Sequence, residues 1–209
     1  MNTRIVLILI SLALPGFFYC DNNDSLTIAK LLTEAREYFG KNPQEGKRIA
    51  FTALEKAKAL NQKYLIAKSY NTIGSCLYYM GNTDSVIIYH EMALEIQKSI
   101  NDLEGLGRSY TNIGILLMDN GNNKKAVEYF LQAEKVFLKI NYELGLGKIY
   151  NNIGVLFYNM RDFENGIINY QKSLKLATKQ KDSLLTYSIL TNIASCYSAL
   201  RKHNMALEK

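Results

Sequence analysis

Tryptophan is absent from the chain, and proline and histidine occur only twice each in 209 residues. So little proline leaves long stretches free to run as uninterrupted helix, and it excludes a proline-rich spacer. Two histidines give little material for acid–base or metal chemistry, and His203 has no cysteine or carboxylate at metal-ligand spacing. Cysteine is equally sparse. Cys20 lies near the N-terminus, and Cys76 and Cys196 stand 120 residues apart, too far along a helical array to bridge, so no disulfide framework is written here. No run of five or more Lys/Arg occurs, and the net charge of +6 is scattered, which argues against nucleic-acid binding by this segment. No glycine/serine-rich or charge-block segment interrupts the sequence, so one extended domain with a continuous core is expected.

The first twenty residues differ in character. "MNTR" is a short positive start, "IVLILISLALPGFF" is an apolar run of 14, and "YCDNND" follows. That is the form of a secretory signal, too short for a comfortable membrane span. Export is the expectation, to the periplasm or cell envelope. Cys20 as a lipidated first residue is disfavoured by bulky Tyr19 just before it.

What the chain does have is repetition. "SYNTIG" at 69–74 returns as "SYTNIG" at 109–114, "IYNNIG" at 149–154 and "ILTNIA" at 189–194, 40 residues apart each time. In each unit Tyr70, Ile73, Gly74 and Leu77, or their counterparts, share one face of a first helix. Glycine inside that face costs a helix about 1 kcal/mol, so close approach of a partner must offset it. The second helix supplies the partner, with small residues seven apart around His90, Phe130 or Tyr170. The ring is expected to fill the gap to the next helix. Aligned with two rings, His90 reads as a packed residue rather than a ligand. Turn formers separate the helices at "GNTD", "GNNK", "RDFEN" and "RKHN". Asn61, Asn101 and Asn141, with Lys181 in the fourth place, read as helix stops in the left-handed conformation. Gly105 and Gly107 in "EGLGRS", with Gly145 and Gly147 in "LGLGKI", recur with the repeat and follow no strand, so they read as packing glycines rather than phosphate loops.

These residues resemble the tetratricopeptide repeat family over about residues 25–209. The small residue of the first helix, the small residues flanking a ring in the second and the helix–turn–helix units carry the likeness. The first helix has Tyr or Leu where the family pattern often has Trp, and the 40-residue period exceeds the usual length of about 34. The resemblance implies an all-α, right-handed solenoid of antiparallel helix pairs. The expected divisions are a signal at 1–20, a linker at 21–26 and a divergent first repeat at 27–66. Repeats follow at 67–106, 107–146 and 147–186, with a partial fifth at 187–209. The last is cut short, and the chain reads as a piece of something longer.

The candidate site lies beside the glycine stripe. Lys68, Asn71, Ser75 and Tyr78 fall on one line of a first helix. Arg108, Thr111, Ile115 and Met118 follow, then Lys148, Asn151, Val155 and Tyr158. Thr72, Asn112, Asn152 and Asn192 run alongside. By resemblance, first helices line a concave groove. The residues for a peptide are then Lys68, Asn71, Tyr78, Arg108, Asn112, Lys148, Asn151, Asn152, Tyr158 and Asn192. Asn can both donate to and accept from a peptide backbone, and Lys/Arg can hold carboxylates. A hydrogen-bond ladder between repeats explains the Asn series equally well. No nucleophile–base pair stands out, so neither catalysis nor a cofactor is expected. The resemblance implies a protein or peptide partner, one that is acidic or carries a free carboxylate. Membrane association would come only through the signal, an anchor or a missing downstream segment. Exported arrays of this period resemble the input halves of bacterial envelope sensors whose output is a kinase or helix-turn-helix domain. The alternative is a secreted or lipid-anchored scaffold with no output.

Overall fold

The computed structural model describes residues 22–207. Nine helices and no strand occur among them: α1 (Asn22–Glu37), α2 (Pro43–Ala59), α3 (Lys63–Tyr79), α4 (Thr83–Ser99), α5 (Leu103–Asp119), α6 (Asn123–Lys139), α7 (Glu143–Asn159), α8 (Phe163–Lys179) and α9 (Ser183–Leu207). Each helix packs on its chain neighbours, and α1, α3, α5, α7 and α9 also touch in sequence along one side. The chain is an all-α solenoid. None of the described helices is long and apolar enough to cross a membrane.

Helices α2 to α8 each have 17 residues, and the turns between them follow one recipe. A residue with positive φ stands every twentieth position: Asn61, Gly81, Asn101, Gly121, Asn141, Arg161 and Lys181, at 50° to 74°. The amide after it reaches back five residues, as in Asn82 to Leu77 at 3.0 Å and Tyr142 to Phe137 at 2.9 Å, capping the carbonyls of the finished helix. That same next residue starts the following helix. Asp102 and Asp162 accept from the amides of Gly105 and Asn165 at 2.9 and 3.2 Å. Stop and start are thus compressed into three residues, which forces neighbours to run antiparallel. The left-handed stops expected at Asn61, Asn101, Asn141 and Lys181 are all present.

Within each pair a ring presses on the first-helix glycine. A Cβ added at Gly74, Gly114 or Gly154 would come within 2.9, 2.5 or 2.6 Å of His90, Phe130 or Tyr170. The ring therefore fills the space made by the glycine of its own unit, not a gap toward the next helix. Where the ring is missing, the glycine is too. Unit 1 has Glu34 with Ala50 in the ring position, and exposed Ala194 of α9 has no ring against it among the described residues.

Successive units meet at seams where size is matched between residues eight apart. Ala57 and Leu65 share one buried cluster, and Ala177 and Leu185 pack in another. Between units 3 and 4 the order reverses. Phe137 is buried against Gly145, and a Cβ there would lie 2.9 Å from its ring; at Gly107, on the other side, it would lie 2.3 Å away. Between units 2 and 3 the pair is Gln97 with Gly105, 2.7 Å by the same measure. Cys76 and Cys196 are free and buried, and burial pushes the Cys76 thiol up to about 11.

Three expectations shift. The signal at 1–20 lies outside the described residues, whereas the linker expected at 21–26 is helical from Asn22 onward. The unit boundaries read at 67, 107, 147 and 187 fall inside α3, α5, α7 and α9, because the recurring hexapeptide sits mid-helix and the stops lie at the left-handed residues. Finally, "RKHN" at 201–204 does not turn. Helix α9 continues through it for 25 residues. No second helix packs back on α9 among the described residues, so unbroken backbone hydrogen bonding is the better-satisfied state.

Candidate functional site

The first helices of units 1 to 4 enclose a hollow of about 400 Å³. Its walls are set by helix geometry. Tyr64, Lys68, Asn71 and Ser75 are three or four residues apart on α3, so they line one face, and Glu104, Arg108, Thr111 and Asn112 do the same on α5. Arg36 and Phe39 close one end from unit 1, and Tyr142 and Lys148 close the other from the start of α7.

Four cations face this space against two carboxylates, Asp102 and Glu104. Both acids are engaged. Asp102 caps α5, and Glu104 pairs with Arg108 at 2.5 Å. Arg108 also donates to the Tyr142 hydroxyl at 2.8 Å, which holds its guanidinium across the junction of units 3 and 4. Arg36, Lys68 and Lys148 have no carboxylate partner among the described residues; Lys68 lies 4.8 Å from the centre of the Tyr64 ring. Burial, and then the nearby charge of Arg108, pull the Arg36 pKa below its ordinary value. The hollow is thus a cationic site with unspent charge.

Its floor is polar. Asn71 accepts from His90 Nδ1 at 2.7 Å and donates to Ser109 at 2.7 Å, and Ser109 donates to Gln97 at 2.8 Å. The chain of bonds ties α3, α4 and α5 together. His90 is 1% exposed, and burial lowers its pKa to about 4, so the ring is neutral with its proton on Nδ1. It is a packed residue of the second helix, with one nitrogen bonded across the unit.

A smaller hollow of about 210 Å³ adjoins the first and shares Phe39, Ser75 and Asn112 with it. Phe39 stacks on Tyr79 at 5.4 Å, and Tyr78 meets Tyr79 edge-on at 5.5 Å. The Tyr78 hydroxyl bonds Asp119 of the next unit, and that carboxylate, with burial, raises the phenol to about 12.

The sequence profile of the tetratricopeptide repeat family matches residues 65–139 and 145–209. The chain belongs to the tetratricopeptide repeat family. Arrays of this family are protein-interaction scaffolds, and this one is a protein-interaction repeat module. No curated protein sequence matches it significantly. Solved structures with the same fold include BtubC from P. vanneervenii, 18% identical with a TM-score of 0.67, covering 85% of this chain and 83% of that one. Aspartyl phosphate phosphatase F from Bacillus subtilis is 16% identical with a TM-score of 0.73, covering 88% of this chain and 50% of that one. A Rap protein complexed with competence and sporulation factor is 16% identical with a TM-score of 0.74, covering 88% and 55%. The chain spans about half the length of those last two proteins.

On this tetratricopeptide array the ten candidate residues divide. Lys68, Asn71, Arg108, Asn112 and Lys148 line the larger hollow, and Tyr78 lines the smaller. Asn151, Asn152, Tyr158 and Asn192 line neither. The asparagines separate by bonding as well. Asn71 is held by His90 and Ser109, and Asn192 donates to Asn151 at 3.3 Å, a rung between units 4 and 5. Asn112 and Asn152 make no hydrogen bond to the protein through their carboxamides among the described residues, and of these two only Asn112 faces the groove. Tyr158 packs edge-on to Phe163 and is exposed. Sequence reading did not find Arg36, Phe39, Tyr64 or Tyr142. Tyr64 stands one turn before Lys68, which is a usable signal. Arg36 and Phe39 come from the divergent unit, and Tyr142 stands where the preceding unit has the capping Asp102, so none of the three recurs with the repeat.

Proposed function

We propose that the larger hollow receives an acidic stretch of a peptide or protein partner, and that the array is the exported input or scaffold part of a cell-envelope signalling protein. The observation that carries the binding reading is the surplus of cations, Arg36, Lys68 and Lys148, gathered around one concavity without carboxylate partners among the described residues. Exposed like charges placed together repel, and an anionic ligand relieves that repulsion. Asn112 adds a carboxamide able to bond a backbone on both its donor and acceptor sides. A structure with the same fold, a Rap protein, has been solved complexed with competence and sporulation factor. Export is supported by the charged start and apolar run of the first twenty residues. A secreted or lipid-anchored scaffold without signalling output is the second reading, supported by the same start.

The test is fluorescence anisotropy with amidated peptides in which Glu alternates with Gln. Glu peptides should bind at least about tenfold tighter than their Gln versions at low salt. Lys148→Glu should remove the preference without lowering the melting temperature. Equal binding of Glu and Gln peptides by the wild-type protein would sink the proposal.

A further inference from the structure

The smaller hollow has a chemistry of its own, and its position next to the cationic one restricts what the ligand can be. Three rings, Phe39, Tyr78 and Tyr79, surround it, with Ile115 and Val86 beneath. The Phe39–Tyr79 pair is stacked with 22° between planes, and Tyr79 is 54% exposed. A large ring left this open gains by covering. Tyr78 brings only its ring to the hollow, because its hydroxyl is occupied by Asp119. The space has no charged wall and adjoins the cationic hollow, with Asn112 among the residues that line both.

We infer that the groove reads a two-part motif, an aromatic side chain in the smaller hollow next to acidic residues in the larger one, with the Asn112 carboxamide bonding the backbone between them. This rests on the acidic-peptide reading above. Charge complementarity fixes the acidic half, and the shared walls require the aromatic half to lie within a residue or so of it. Offset stacking on the Phe39–Tyr79 pair makes an aromatic ring a better occupant than a branched aliphatic chain. Phe39 is the determinant that links the two halves, because it lines both hollows. It comes from the turn after α1, so the divergent first unit supplies specificity and not only an end cap.

The probes are two fluorescein-labelled, amidated peptides, Gly-Ser-Phe-Glu-Glu-Ser-Gly and its reverse-order partner Gly-Ser-Glu-Glu-Phe-Ser-Gly. Each is also made with Ala for Phe and with Gln for Glu. In one of the two orders, Phe should bind the full chain about tenfold tighter than Ala, the gain expected of one stacked, buried ring. Tyr79→Ala and Phe39→Ala should each shrink that ratio to about twofold or less while leaving the Glu-over-Gln ratio intact. Tyr79→Ala removes a largely exposed ring, so it serves as the informative variant should Phe39→Ala unfold, which circular dichroism would show. A Phe-to-Ala ratio near one in both orders, with the Glu preference preserved, overturns the two-part motif and leaves the acidic reading standing. Loss of the Glu preference in every wild-type measurement overturns both.

Discussion

The seam between units 2 and 3 and the seam between units 3 and 4 are the same place in the repeat, built with opposite chemistry. At the second, Phe137 is wedged between Gly107 and Gly145, and Ile149 is fully buried beside it. At the first, the same three positions hold Gln97, Gly105 and Ser109, and the ring pocket opposite is closed by Ala67, whose Cβ occupies the space that Gly107 leaves open. One seam is held by a ring and two absent side chains. The other is held by a file of hydrogen bonds from His90 through Asn71 and Ser109 to Gln97. An apolar seam is cheaper to build, since buried polar groups contribute little net and cost heavily when a partner is lost. Both seams reach the cationic hollow, Phe137 and Gly145 from one and Gln97 and Gly105 from the other, and the polar file adds Asn71 to its wall. Local choices that depart from the rest of a fold gather at functional sites, and here Asn71 and Gln97 both form the floor of the groove.

The largest effect should come from breaking the apolar seam. Phe137→Ala removes a fully buried ring gripped from two sides and is expected to cost about 3–5 kcal/mol in urea unfolding. Gln97→Ala should cost less. Next is acid. The folded pKa of His90 is lowered to about 4, below its unfolded value, so the unfolded chain binds more protons between those limits. Stability conferred by the neutral ring is whole above the unfolded value of about 6.5 and is lost as pH falls toward 4, by roughly 2–3 kcal/mol. His90→Phe should flatten that limb of the pH–stability curve relative to wild type, and parallel curves would rule out the assignment.

Smaller again is the file itself. Asn71→Ala strands His90 Nδ1, leaves Ser109 with only its bond to Gln97, and should cost about 1–3 kcal/mol. Asn112→Ala, one unit along and with a carboxamide that makes no hydrogen bond among the described residues, should stay within about 0.5 kcal/mol by thermal melting. Equal losses in the two variants would erase the distinction between a structural rung and a ligand contact. The smallest is Lys148→Ala, expected within about 0.5 kcal/mol because its ammonium has no ion pair among the described residues.

The fold was legible because its determinants are local and repeated. A left-handed residue, a capping residue and a glycine under a ring are each written in a few adjacent positions, and the 40-residue period displays them several times over. Of the two hollows, the sequence pattern showed the residues repeated on the first helices, Lys68, Asn71, Tyr78, Arg108, Asn112 and Lys148. Whether an asparagine is a rung or a free amide depends on the residue facing it from the next unit. Asn71 meets Ser109, Asn151 meets Asn192, and Asn112 meets a cavity; no single-unit pattern contains that information. Phe39 and Arg36 were missed for the same reason. They belong to the unit that least resembles the others, and only folding brings them across from unit 1.

The matched residues at the seams also govern how such an array can be shuffled. Excision of one forty-codon block keeps the helices in phase, yet it does not keep the partners. Without α5 and α6, Gln97 would face the helix carrying Ile149, and Asn71 would lose its serine. Without α7 and α8, Phe137 would meet Leu185 in place of Gly145, two large side chains in a space made for one. Ala57 with Leu65 and Ala177 with Leu185 are one kind of key at the two outer seams, whereas Gln97 with Gly105 and Phe137 with Gly145 are two others, so the inner units are held in their order by shape as well as by the covalent chain.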